Sequence, residues 1–140
     1  MVKYERGSEW RRWDLHIHTP GTLKNDQYEG KTIEEKWDNF YNTINHYIGD
    51  GTDPLKTIEV IGITDYLSID NYNKVIEDGR LPESIKLVLP NVELRMVPLA
   101  KKYPVNIHCI FDPAYADSLE SRFFSKLKFS FGDSSYSASH

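Results

Sequence analysis

Apolar residues recur along this chain at two different periods, and the switches between them mark its elements. In Asp14-Leu15-His16-Ile17-His18 the alternation has the period of two that belongs to a strand, with Leu15 and Ile17 on one face and His16 and His18 on the other. From Ile33 onward the period changes: Ile33, Trp37, Phe40, Tyr41, Ile44, Tyr47 and Ile48 follow helical spacing. Thr32-Ile33-Glu34-Glu35 opens that helix as a capping box, in which the Thr32 hydroxyl takes the Glu35 amide and the Glu35 carboxylate reaches back to Thr32. Gly49-Asp50-Gly51 closes it. Ile58 to Ile63 is a short β-branched run that reads as a buried parallel strand. Asp70 is placed to cap a second helix over Asn71 to Asp78, with Tyr72, Val75 and Ile76 turned inward and Gly79 ending it.

Ile85 to Leu89 predicts a third strand, broken at Pro90, with Val92 to Val97 continuing it or forming a separate extension. Val105 to Phe111 predicts a further strand and Leu119 to Leu127 a helix, whereas Ser130 to His140 lacks an apolar period and reads as a loop-like tail. Strands alternating with helices predict an α/β fold with mainly parallel strands, as a layer or a barrel. Trp10 and Trp13, beside Arg11 and Arg12, are expected to cover the open end of the core.

Length and composition narrow the classes. A chain of 140 residues has room for one core, so residues 1–140 are read as part of a single domain. Hydrophobic and charged shares of 39% and 27% are those of an ordinary soluble protein. A net charge of −4 with scattered Lys and Arg leaves no basic footprint, so nucleic acid is conceivable as a substrate but not as a charge-driven partner. Cys109 is the sole cysteine, which excludes an internal disulfide and a cysteine-rich zinc cluster. The opening residues lack the apolar segment of a signal peptide, and no stretch is long enough to span a membrane; the expected setting is cytoplasmic.

The chemistry gathers at strand ends. Two histidines on one strand face stand roughly 6.5 to 7 Å apart at the backbone, and their rings can tilt onto one ion. In parallel α/β folds the working residues occupy the carboxyl ends of the strands. Those ends carry His16 and His18, then Asp65, then Glu93, then His108. Each alone has an ordinary explanation: Asp65 as a cap for the next turn, Glu93 as a surface residue, His108 as a core histidine. His46 falls off the helical stripe and reads as solvated. Together the five suggest a metal site in which Asp65, Glu93 and His108 also act in catalysis. Imidazoles and carboxylates without thiolates favour zinc, manganese or iron over calcium or magnesium. Glu93 can bridge two ions, and paired ions about 3.5 to 4 Å apart suit hydrolysis at phosphorus.

In order and spacing, Asp14-Leu15-His16-Ile17-His18-Thr19, Gly62-Ile63-Thr64-Asp65-Tyr66, Pro90-Asn91-Val92-Glu93-Leu94 and Asn106-Ile107-His108 resemble the motifs of the PHP (polymerase and histidinol phosphatase) superfamily. More narrowly, Arg6-Gly7-Ser8-Glu9-Trp10 and Ile63-Thr64-Asp65-Tyr66-Leu67-Ser68-Ile69 look like TrlF-type proteins, in which a PHP domain precedes an SMC-like ATPase region. The resemblance implies a distorted (β/α)7 barrel with two or three divalent ions on its rim. His16 and His18 would bind the first ion, Glu93 would bridge, and His108 would bind the second. Asp65 would bind a third or orient a ligand.

The family's Asp-His is Asp65-Tyr66 here, and neutral tyrosine is a poor ligand. The family's later ligands, a further histidine and an Asp-x-His or Asp-x-Asn pair, have no counterpart before residue 140, so the chain resembles the N-terminal portion of a PHP domain. An unclosed barrel predicts oligomerisation through its sheet edge or a missing remainder. The implied activity is hydrolysis of a phosphate ester, in nucleic acid or a nucleotide, by a metal-activated water. Two alternatives remain: a non-catalytic docking or regulatory module for an ATPase region, and an amidohydrolase. Against the latter stand the Glu93 and Thr64-Asp65 motifs and the lack of an evident bridging lysine.

Overall fold

The computed structural model describes residues 11–22, 26–49, 51–53, 57–96, 103–131 and 134–137. Its centre is a curled four-stranded sheet, a half-barrel, in the order β1 (Arg12–Ile17), β2 (Ile58–Tyr66), β3 (Leu87–Met96), β4 (Val105–Ile110). The first three strands run parallel, with helix α1 (Ile33–Tyr47) between β1 and β2 and helix α2 (Asp70–Asp78) between β2 and β3. Thus the α/β alternation expected from the two periods is present. The fourth strand departs from it, because β4 returns antiparallel to β3, with no helix described between them.

One face of the sheet is apolar. Ile17, Ile61, Ile63 and Val92 pack against Phe40, Tyr41 and Ile44 of α1 and Tyr72 and Val75 of α2. Ile17 pairs with Ile63, and Ile61 pairs with Val88, so the register itself collects the β-branched residues on the helix side. The aromatic part of the core is built from edge-on contacts, with Trp37 and Phe40 centroids 5.4 Å apart and Phe40 and Tyr41 5.0 Å apart. Tyr41 is buried but keeps a partner for its hydroxyl, donating to Asp78 of α2 at 2.7 Å.

Local chemistry explains where the elements depart from expectation. The Glu35 amide donates to Thr32 Oγ1 at 3.2 Å, as a capping box requires, but the Glu35 carboxylate accepts from Lys31 N, one residue beyond its anticipated partner. Ile33 and Tyr47, at the two ends of the α1 stripe, are exposed. In α2, Ile76 is also exposed rather than inward, and Asp70 is the first helical residue rather than the cap. Trp13 is 59% exposed and covers no core; Trp10 lies outside the described residues.

Pro90 does not break β3. The Pro90 carbonyl accepts from Phe111 N on the β4 side, and a strand residue directs its N–H to the same side as its C=O. Ladder pairing with β4 begins only at Asn91, so the missing donor interrupts nothing.

The predicted helix over Leu119 to Leu127 contracts to α3 (Leu119–Arg122), flanked by 3-10 turns at Pro113–Ser118 and Phe124–Lys126. Ser118, Ser121 and Ser125 donate their hydroxyls to the carbonyls of Tyr115, Ser118 and Ser121, the local competition that makes serine a poor helix interior. Beyond it, β5 (Lys128–Phe131) and β6 (Ser134–Ser137) form an antiparallel hairpin, so the tail is not simply a loop. The sequence signal was Gly132-Asp133, a dipeptide that favours two-residue connections between strands.

Candidate metal centre

The face of the sheet opposite the helices is polar, and its membership follows from pairing register. Thr64 is opposite Asn91 and Tyr66 opposite Glu93 across β2 and β3; Glu93 is opposite His108 across β3 and β4. His108 therefore reaches the site as the cross-strand partner of Glu93, not from the carboxyl end of a parallel strand. His16, in β1, and His18, just beyond its end, complete the group from the other edge.

The three innermost ligand atoms form a small triangle. His16 Nε2 and His18 Nε2 are 3.1 Å apart, and they stand 3.8 Å and 3.7 Å from Glu93 Oε2. A point equidistant from all three lies about 2.1 Å from each, the length of a zinc–imidazole or zinc–carboxylate bond. Glu93 is 1% exposed, and its Oε2 is a buried oxygen without a hydrogen-bond partner. A buried carboxylate oxygen left unpaired carries a heavy desolvation cost, and a cation in this triangle would offset it. The donor set thus fits a divalent ion.

His108 extends the group. Ligand atoms of His16, Glu93 and His108 all lie within 4.8 Å of one another, close enough to hold an ion between them. The His16 and His108 rings are 4.5 Å apart at their centroids. Burial lowers the His18 pKa, the neighbouring His16 lowers it further, and Glu93 opposes both. That balance favours the neutral imidazole that a ligand must be.

Asp65 is placed elsewhere. By the strand alternation it shares the helix-side face with Ile61 and Ile63. Its carboxylate accepts from Asn71 N at 3.0 Å and Asn71 Nδ2 at 2.5 Å, which satisfies a free amide in the first turn of α2. The ordinary explanation, a cap for the next helix, describes what Asp65 does here. Burial raises its pKa, with the two Asn71 hydrogen bonds opposing. His46 is exposed on α1, away from this cluster, with its ring against Tyr47.

Tyr66 shares the site face. Its ring stacks on His18 with centroids 5.8 Å apart and an interplanar angle of 17°. Burial and the charge of Glu93 raise its phenol pKa, which keeps it neutral. Two asparagines outside the predicted site residues hold the candidate ligands. Asn106 donates to Glu93 Oε1 at 2.5 Å, and Asn91 touches His108 Nδ1 at 3.2 Å. Their signal was available, since Asn91 lies two residues before Glu93 and Asn106 two before His108, on the same strand faces.

A cleft of about 530 Å³ is lined by His16 and His18 together with Asp14, Tyr28, Ile44 and Ile48. No helix among the described residues is long and apolar enough to cross a membrane. Comparison of the chain with protein-family models, with curated proteins and with solved structures finds no match.

Proposed function

We propose that this chain carries the metal centre of a PHP-type phosphoesterase that hydrolyses a phosphate ester. The observation that supports this reading most directly is the triangle of His16 Nε2, His18 Nε2 and the unpaired Glu93 Oε2, sized for one divalent ion. Zinc, manganese or iron suits a donor set of imidazole and carboxylate. When bound, such ions polarise a phosphoryl oxygen and bring the pKa of water towards neutrality. His16 and His18 would hold a first ion together with Glu93 Oε2, and His108 would hold a second. Asn106 fixes the Glu93 carboxylate by occupying its other oxygen. The cleft that His16 and His18 line would receive the organic portion of the ester. Asp65, whose two oxygens accept from Asn71, orients the start of α2.

The test is direct. Titration with Mn²⁺ or Zn²⁺, followed by elemental analysis and anomalous scattering, is expected to place an ion against His16, His18 and Glu93. A chromogenic phosphodiester is expected to turn over with the loaded protein and not with His16→Ala. No ion at those residues would sink the reading.

A second reading rests on Tyr66 and Asp65. Tyrosine stands where the PHP pattern has a ligand histidine, and Asp65 is engaged as a cap, so the third ion position lacks both donors. A PHP-like module that binds ions without hydrolysis, docked on an SMC-like ATPase region, would look the same. Ion binding without turnover by the complete protein would favour it.

A further inference from the structure

The Asn91 amide joins three strands to one ligand, and its hydrogen bonds can be assigned without seeing a proton. Asn91 is 1% exposed on β3. Its Nδ2 is 2.7 Å from the Leu15 carbonyl oxygen on β1 and 3.0 Å from Thr64 Oγ1 on β2, and its Oδ1 is 3.2 Å from His108 Nδ1 on β4. A backbone carbonyl can only accept, so the amide group facing Leu15 must be the NH2. That fixes the flip of the side chain and turns the carbonyl oxygen towards His108. Oδ1 in turn can only accept, so His108 Nδ1 must carry a hydrogen. In the neutral ring the lone pair is then left on Nε2.

Gly62 gives this arrangement its space. A Cβ at residue 62 would collide with the Leu15 carbonyl, so glycine lets β1 come close enough for Asn91 to reach it across β2.

We infer that Asn91 is a positioning residue for the metal centre: anchored by the Leu15 carbonyl, it selects the His108 tautomer that presents Nε2 as a ligand. The inference rests on the metal reading for its purpose, but not for the tautomer, which is a property of the metal-free protein. A metal ligand histidine usually donates its other ring hydrogen to an acceptor that sets its orientation, and loss of such an acceptor typically costs 10- to 100-fold in affinity.

Long-range ¹H–¹⁵N spectra of the metal-free wild-type chain, with the His108 signals assigned, are expected to show the neutral form of the ring with its hydrogen on Nδ1 and not on Nε2. A ring protonated at Nε2 would overturn the inference without recourse to any variant. Co²⁺ titration followed by visible absorption supplies the second readout. Asn91→Ala is expected to bind Co²⁺ roughly 10- to 100-fold more weakly with an altered absorption band, whereas Asn91→Asp, which keeps an acceptor for Nδ1, recovers most of that affinity. Both variants lose the donor to Leu15 and should unfold at lower temperature, so stability and affinity separate. Equal Co²⁺ affinity in wild type and Asn91→Ala would overturn the positioning role. If wild type shows the Nδ1 tautomer yet binds no Co²⁺, the metal reading fails and the tautomer assignment stands.

Discussion

At the scale of single residues, Glu93 carries the sharpest conflict between stability and use. Its charge is buried with one oxygen unpaired, an arrangement that costs the metal-free fold and is useful only if something positive arrives. Glu93→Gln keeps the acceptor for Asn106 and removes the charge. At pH 8 the metal-free variant should be more stable by about 1 kcal/mol in urea unfolding. It should also lose most of the stabilisation that Zn²⁺ confers on wild type. A less stable metal-free variant would show that the carboxylate is already satisfied.

The grouping of His16, His18, Glu93 and His108 was legible in the sequence because side chains able to bind metal are few and their same-face spacing is simple. Asp65 was harder. Its neighbour Tyr66, one step along β2, is the residue whose parity faces the site, and only the position of Asn71 reveals what occupies the carboxylate. Asparagines such as Asn91 carry no charge and no ligand chemistry, so their importance appears only once their partners are known.

At the scale of elements, α1 and α2 are held together by more than apolar contact. Tyr41 donates to Asp78, Lys74 pairs with the same carboxylate at 3.1 Å, and the Arg80 guanidinium sits 4.3 Å over the Tyr41 ring. Burial alone would raise the Asp78 pKa, but the hydrogen bonds from Tyr41 and Lys74 outweigh it and hold it below the usual value. A depressed carboxylate pKa stabilises the fold above the unfolded value and loses that contribution as the pH falls through the folded one. Tyr41→Phe should therefore cost about 1 kcal/mol at neutral pH, with the gap to wild type closing below about pH 4. Urea unfolding across that range measures it; a gap independent of pH would show that Asp78 is not the partner that matters.

Gly62→Ala tests strand packing. Its Cβ would force β1 away from β2, and a cost of about 1 to 3 kcal/mol is expected, with weakened Co²⁺ binding through Asn91. Helix periods and caps predicted α1 and α2 within a residue or two. The contraction of the last helix and the continuity of β3 through Pro90 were not legible, since both depend on which backbone groups find partners in three dimensions.

At the scale of the whole molecule, the direction of β4 was the feature least accessible to the sequence. A strand period says nothing about orientation, and His108 fits a parallel rim or a hairpin equally well until its partner Glu93 is known. Ion binding should act on the fold as a unit. With Zn²⁺ at 100 times its dissociation constant, mass action adds about 2.7 kcal/mol, so thermal unfolding should rise by roughly 5 to 11 °C and return on chelation. An unchanged midpoint would mean that the centre does not bind zinc in the folded chain.

The sheet ends, among the described residues, at β1 on one side and β4 on the other, and these outermost strands supply His16 and His108. Only Glu93 comes from a strand flanked on both sides. Ions bound along this line, with Glu93 between them, would act as a buckle between the two margins of the curl, so amide exchange in β1 and β4 should slow in concert although the strands share no ladder.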